Sequence, residues 1–254
     1  MISASKIKYV KSLGLQKFRE LHSHFVVEGP KMVAELLKSD FVIGEIFAVE
    51  PWLDDNRDKL KRFSGNIIKV TEKEISRLSG LKTANKVLAT VEIPKHKISD
   101  KIFDKLTLAL DGISDPGNLG TIIRVADWFG IQSIICSTNT VELYNPKVIQ
   151  ATMGSLFRVK LYYDNLDRII VNSGKKIPIL GTTLDGENIY KADLPRRAMI
   201  VIGSEPHGIS PSVIKLLDRK ITIPSSGTET ESLNAAVATA ITCSEFMRDK
   251  LIGA

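Results

Sequence analysis

The chain predicts an α/β fold in two domains. Three observations carry that prediction. The second half contains short, continuously apolar runs, polar glycine-rich loops follow three of them directly, and a proline-broken, charged stretch at 94–101 precedes them all. Strands of a parallel sheet are covered on both faces, so they read as unbroken apolar runs, and ligands bind in the loops beyond their carboxyl ends.

In order along the chain, the basic residues 6–20 read as helical and Phe25-Val26-Val27-Glu28 as a strand. The amphipathic residues 30–38 read as a helix, 41–49 as a strand, 51–62 as a helix, 67–70 as a strand, 72–78 as a helix and 87–93 as a strand. Pro94 and the charged residues to Lys101 look like a linker. The boundary therefore falls near 94–104, giving a small α/β domain over 1–98 and a second domain over 104–254. Strands are expected at 106–110, 133–136, 178–181, 199–202 and 220–223. A helix over 119–129 follows Pro116 and Gly117, and an apolar helix runs over 235–247. No internal repeat or low-complexity tract interrupts this order.

The 254 residues with 43% hydrophobic content supply an adequate core, and the net charge of +6 permits a polyanionic partner without requiring one. Cys136 and Cys243 each sit in an apolar run and read as small buried hydrophobes. They form no CxxC pair and no zinc spacing, and His22, His24 and His96 lack partners at a metal-ligand spacing, so no metal is expected. No charged-then-apolar leader is seen and no apolar run approaches the roughly 18 residues of a membrane span. The expectation is a cytoplasmic protein with no membrane partner.

The three loops are Asp111-Gly112-Ile113-Ser114-Asp115-Pro116-Gly117-Asn118-Leu119-Gly120, Gly203-Ser204-Glu205-Pro206-His207-Gly208, and the stretch from Ile223-Pro224 to Ser232-Leu233-Asn234. The third ends where an apolar helix must begin, so backbone donors and polar side chains converge there. The first is not a P-loop, because Asn118 and Leu119 follow Gly117 where Lys and Ser or Thr are needed. It is not a dinucleotide fingerprint either, which argues against a small-molecule dehydrogenase.

Taken together, these loops resemble the three motifs of the SpoU (TrmH-type) branch of the SPOUT RNA methyltransferases. Asp115 to Gly120 with Arg124 matches the first, Ile200 to Gly208 the second, and Ile223-Pro224 through Ser232-Leu233-Asn234 the third. The stretches Tyr144-Asn145-Pro146-Lys147 and Thr152-Met153-Gly154-Ser155-Leu156-Phe157 are similar to the family's middle region. Motif three departs from the common form by one extra residue between Gly227 and Ser232 and by Ser225 after Pro224.

The resemblance implies a knotted, trefoil parallel-sheet catalytic domain, S-adenosylmethionine as cofactor, a ribose 2′-hydroxyl of RNA as methyl acceptor, and a homodimer. It implies that Arg124, from the same subunit or its partner, takes part in activating that hydroxyl; because arginine stays charged in proteins, Arg124 reads as a stabiliser of the developing alkoxide and an anchor for a neighbouring phosphate, with Glu205 orienting Arg124 or the hydroxyl. Asn118, Ser232 and Asn234 would position ribose or phosphate. Gly203, Ile223 and Leu233, with Thr182 from the Leu180-Gly181-Thr182-Thr183 loop, would hold the cofactor. His207 is of a type suited to general-base work, but its place between Pro206 and Gly208 matches no functional position of the family. Phe25 to Glu35 and residues 79–89 resemble the substrate-binding domain fused ahead of such catalytic domains, with Lys8, Lys11, Lys31 and Lys86 as phosphate contacts. A generic α/β module is the other reading of that domain. Its presence inclines the substrate toward ribosomal over transfer RNA. The rival to catalysis is a non-catalytic RNA-binding or ribosome-assembly protein on the same fold.

Overall fold

A computed structural model of the protein describes residues 2–61, 63–173, 176–227 and 232–253. The chain divides into two compact units. One comprises Met1–Lys95 with Tyr144–Phe157, the other His96–Leu143 with Arg158–Ala254.

The first unit opens with α1 (Ala4–Ser12), α2 (Gln16–His22), β1 (His24–Glu28) and α3 (Pro30–Leu36). It continues with β2 (Ile43–Ala48), α4 (Glu50–Asp55), α5 (Arg57–Leu60), β3 (Asn66–Lys69), α6 (Glu72–Leu78) and β4 (Val87–Glu92). The sheet order is β1-β4-β2-β3. Strand β4 runs antiparallel to β1 and β2, and β3 is parallel to β2. Phe25, Val27, Ile46, Phe47, Leu88 and Val91 from the strands are buried with Met32, Val33 and Leu36 of α3, which is why the sheet needs that helix. The basic opening is two helices where one was expected, because the chain turns at Leu13–Leu15 with Gly14 between them. The helix expected over 51–62 is likewise split at Asn56, and Arg62 lies outside the described residues.

The second unit begins with β5 (Thr107–Asp111), α7 (Pro116–Trp128) and β6 (Ser133–Cys136). Helix α8 (Pro146–Thr152) follows in sequence, then β7 (Lys160–Tyr163), α9 (Leu166–Asn172), β8 (Ile179–Asn188), β9 (Met199–Gly203), α10 (Pro211–Ile214), β10 (Arg219–Thr222) and α11 (Ala235–Ile252). The six strands lie in the order β10-β8-β9-β5-β6-β7 and every neighbouring pair is parallel. All five residues of β5 and the first four of β9 are buried, as central parallel strands require. Cys136 and Cys243 are free and buried. Burial raises both thiols, that of Cys243 to about 12.

Three further features depart from the sequence reading. Strand β7 was not anticipated. It is a four-residue edge strand whose first and last residues are exposed, so it gives no continuous apolar run. Strand β8 is longer than expected. Its pairing with β10 jumps from Gly181↔Lys220 to Glu187↔Ile221, so Thr182 to Gly186 bulge out of the ladder.

Residues 144–157, placed by sequence within the second domain, belong to the first unit. Tyr144 packs on Phe25 with ring centroids 4.5 Å apart, and Phe157 meets Phe41 edge-on at 5.2 Å. The Gln150 side chain donates to the Glu28 carbonyl at 3.3 Å. Gly154, at φ +96°, faces Glu35 so closely that a Cβ would lie 2.9 Å from its Cγ. Aromatic contact between residues so far apart in sequence leaves no local pattern.

Candidate active site

Strands β5 and β9 are neighbours in mid-sheet. From β5 the chain builds outward through β6 and β7 on one side, and the later strands lie on the other. The carboxyl ends of β5 and β9, where the order reverses, are thus the expected ligand crevice of an open parallel sheet. Asp111 and Gly203 are paired there.

The loop after β9 is closed on itself. Ser204 and Gly208 exchange backbone hydrogen bonds of 3.1 and 2.8 Å, and Gly208 takes φ +64°. Gly203 is required at the entrance, since a Cβ would lie 2.1 Å from the Gly208 carbonyl carbon. The buried Asp111 holds the far side by accepting a 2.7 Å bond from the Ser210 N–H. The tight turn thereby pushes Glu205 outward.

Glu205 is the hub of the site. Its Oε1 accepts from Asn118 Nδ2 at 2.7 Å, from Asn234 Nδ2 at 2.7 Å and from the Ala235 N–H at 3.1 Å. Asn234 Nδ2 also reaches Asn118 Oδ1 at 2.9 Å. Both asparagines stand at helix starts for local reasons. Asp115 caps α7 by accepting from the Asn118 N–H at 2.7 Å ahead of Pro116, and Asn234 caps α11 by accepting from the N–H groups of Ala236 and Val237 at 3.0 and 3.2 Å. A carboxylate at the amino end of the 18-residue α11 is favoured by the helix dipole as well as by its hydrogen bonds. Residues from all three sequence motifs are therefore joined through one oxygen atom.

The other anticipated residues are placed less tightly. Arg124 is exposed on α7 and, among the described residues, has no hydrogen-bond or ion-pair partner. Ser232 is exposed beside Leu233, which is 43% exposed, and Ile223 and Gly203 are half-buried. Thr182 opens the β8 bulge in place of a free loop, and its hydroxyl donates to the Val201 carbonyl at 3.2 Å. Residues 228–231, which include the extra position of motif three, lie outside the described residues. Sequence reasoning missed Leu184, 79% exposed at the centre of the bulge, because a bulge is defined by the partner strand. It also gave no part to Asp115, although Asp before Pro at a helix start was a readable cap signal.

The model of the SpoU rRNA Methylase family matches residues 105–244, and that of the MRM3-like substrate binding domain matches residues 4–89. The chain belongs to the SpoU rRNA methylase family. This SpoU protein is 28% identical over 240 residues to the Bacillus subtilis 23S rRNA (guanosine(2553)-2′-O)-methyltransferase RlmP, covering 93% of each chain. It superposes on a Porphyromonas gingivalis protein assigned to the TrmH family of RNA methyltransferases with TM-score 0.88 and 37% identity, over 98% of this chain and 99% of that one. An S-adenosylmethionine-bound rRNA methyltransferase from Sinorhizobium meliloti gives TM-score 0.86 at 26% identity, over 98% and 97%. Among the described residues, this SpoU protein has no group of three or more side chains able to hold a metal ion and no helix long and apolar enough to cross a membrane.

Proposed function

We propose that this chain transfers a methyl group from S-adenosylmethionine to a ribose 2′-hydroxyl of ribosomal RNA, with Arg124, Asn118, Glu205, Ser232 and Asn234 at the reaction centre. The observation that carries the assignment of the site is the junction of Asn118, Glu205 and Asn234 at the carboxyl ends of β5 and β9.

The residues present fit the cofactor. Leu184 in the β8 bulge and Leu233 before α11 present apolar side chains that the protein's own core does not cover, as an adenine ring and a methylene chain require. Thr182, Gly203, Ile223 and Leu233 would hold it, with backbone groups of the β9 loop serving its polar ends. S-adenosylmethionine supplies an electrophilic methyl carbon on a sulfonium sulfur.

The chain's own part is to bring a poor nucleophile into line and stabilise the charge it develops. Arginine stays protonated in proteins, so Arg124 acts as a fixed positive charge for the nascent alkoxide and not as a base. Its freedom from any described partner leaves the guanidinium available to ribose and phosphate. Glu205 cannot turn freely toward substrate while one oxygen takes three donors. We therefore assign it first to holding the starts of α7 and α11 in register. Ser232, exposed, is free to contact the ribose and its phosphate, and Asn118 and Asn234 do so with the hydrogen-bonding capacity that their bonds to Glu205 and to each other leave them.

We further propose a homodimer through the exposed faces of α7 and α11. Trp128 is 85% exposed, with Val237, Leu251 and Ile252 also uncovered. Uncovered apolar side chains on both helices suit a contact with a partner, and a second copy is the one the reading implies. A cytoplasmic location completes the proposal.

The test is nucleoside mass spectrometry of ribosomal and transfer RNA from cells lacking the gene, after incubation with purified protein and S-adenosylmethionine. A new 2′-O-methylnucleoside in ribosomal RNA, absent with Arg124→Ala, is the expected result. Cofactor binding without any methylated RNA would leave the non-catalytic reading in its place.

A further inference from the structure

Five of the basic residues, Lys6, Lys8, Lys11, Lys17 and Arg19, fall within the first 24 positions, against a single acid, Glu20. That segment alone carries +4 of the chain's net +6. It also gathers aromatic rings. On α2, Phe18 and His22 lie one turn apart with nearly parallel planes, 11° at 6.4 Å between centroids. Tyr9 of α1 meets His22 edge-on at 5.1 Å and His24 at 6.5 Å. Lysine ammonium groups cover the rings. Lys17 Nζ stands 4.9 Å from the Phe18 centroid and Lys6 Nζ 5.8 Å from that of Tyr9. Leu15 and Leu21 beside them are 57% and 70% exposed.

The neighbouring acids are largely spoken for. Glu45 pairs with Lys6 at 2.8 Å, Glu20 accepts from Gln16, and Glu74 accepts from the Ile2 N–H. Lys6 is thus engaged by Glu45, while Lys8, Lys11 and Lys17 have no acidic partner among the described residues. Rings set beside such lysines match the chemistry of an unpaired nucleotide, whose base stacks while its phosphates meet ammonium groups.

We propose that the α1–α2 surface, with Phe18, His22 and Tyr9 at its centre, is a stacking platform for an unpaired nucleotide of single-stranded RNA. The proposal rests on the RNA-methylating reading for the identity of the nucleic acid, and it adds a contact surface that lies outside the reaction centre. Stacking contributes through the ring faces and is tolerant of base identity. Lys8, Lys11 and Lys17 contribute the salt-dependent part.

The test uses the full chain and a labelled RNA of about 12 nucleotides carrying one 2-aminopurine. Fluorescence anisotropy reads affinity and 2-aminopurine quenching reads stacking. Phe18→Leu, which keeps apolar bulk without a π face, and His22→Ala are expected to weaken binding about tenfold each and to abolish quenching, with the salt slope unchanged. Phe18→Trp should restore both. Lys8→Ala with Lys11→Ala should flatten the salt slope and keep quenching. Wild-type affinity and quenching in Phe18→Leu and His22→Ala, with unchanged melting temperatures, would overturn the platform, as would lysine variants that account for all binding. S-adenosylmethionine binding and methyl transfer by the same proteins are measured in parallel. A failure of catalysis in the wild type would thus be read separately from a failure of stacking.

Discussion

Glu205 and Asn234 are joined by a 2.7 Å hydrogen bond that ties the turn after β9 to the amino-terminal cap of α11. The same carboxylate oxygen receives Asn118 from the start of α7. Two helix starts and one strand end are thus fixed by a single atom. The geometry of the site depends on how that atom is charged and placed.

Glu205→Gln keeps an oxygen of similar reach but removes the charge from three donor contacts. Charge-assisted bonds are worth about 1.5–3 kcal/mol each where they are partly buried, less at an exposed position. A fall of about 10- to 100-fold in kcat/KM for methyl transfer to rRNA is expected. The melting temperature should move by only a few degrees, since the groups lie at the surface. Radiolabelled methyl transfer read beside a thermal melt checks this, and full turnover would remove Glu205 from the machinery.

Arg124 is exposed and without a described partner, so its loss should leave folding untouched. Arg124→Ala is expected to lower turnover at least about 100-fold, the scale of removing one donor from a developing oxyanion. S-adenosylmethionine affinity by calorimetry should stay within a fewfold. Arg124→Lys should recover little, because an ammonium cannot reproduce the planar fork of a guanidinium. Full turnover of Arg124→Lys would show that only the charge matters.

Gly203→Ala tests the closure of the β9 loop. The added Cβ would stand 2.1 Å from the Gly208 carbonyl carbon and 2.3 Å from the Ile209 nitrogen, both backbone atoms that cannot swing aside. The loop must open, at a cost of about 1–3 kcal/mol by analogy with overpacked cores. Loss of cofactor binding together with a lower melting temperature is the expected outcome. Unchanged cofactor affinity would mean the closed turn is not part of the cofactor site.

Much of this arrangement was legible in the sequence, and the reason is local chemistry. The buried strands β5 and β9 announce themselves by unbroken apolar runs. The caps at Asp115 and Asn234 follow from residue type and position. What the sequence could not give is set by partners distant along the chain. The bulge that exposes Leu184 exists only relative to β10, and the packing of Tyr144 on Phe25 links residues in different halves. The three-way contact at Glu205 is of this kind too. The motifs foretold that their residues would meet, but not that one carboxylate oxygen would bind both asparagines.

Glu74 provides a test of the first unit by pH. Its carboxylate completes the capping box of α6, accepting from the Thr71 N–H and hydroxyl at 2.9 Å each, and also accepts from the Ile2 N–H at 2.8 Å. These bonds favour the ionised form, the Thr71 backbone bond most, and lower its pKa from the ordinary 4.5 to about 2. A carboxylate depressed in the folded state stabilises above its unfolded pKa, and that contribution is lost as pH falls through the folded value. The stability difference between wild type and Glu74→Gln should therefore be constant from pH 7 to about 5 and shrink progressively below the ordinary 4.5 toward about 2. Because Glu74 lies at the surface, only partly covered, the difference should be small and sensitive to salt. Paired urea melts at pH 7, 5 and 3.5 provide the comparison. A difference that widens on acidification would mean that the charge of Glu74 does not hold the start of α6 and the amino-terminal segment together.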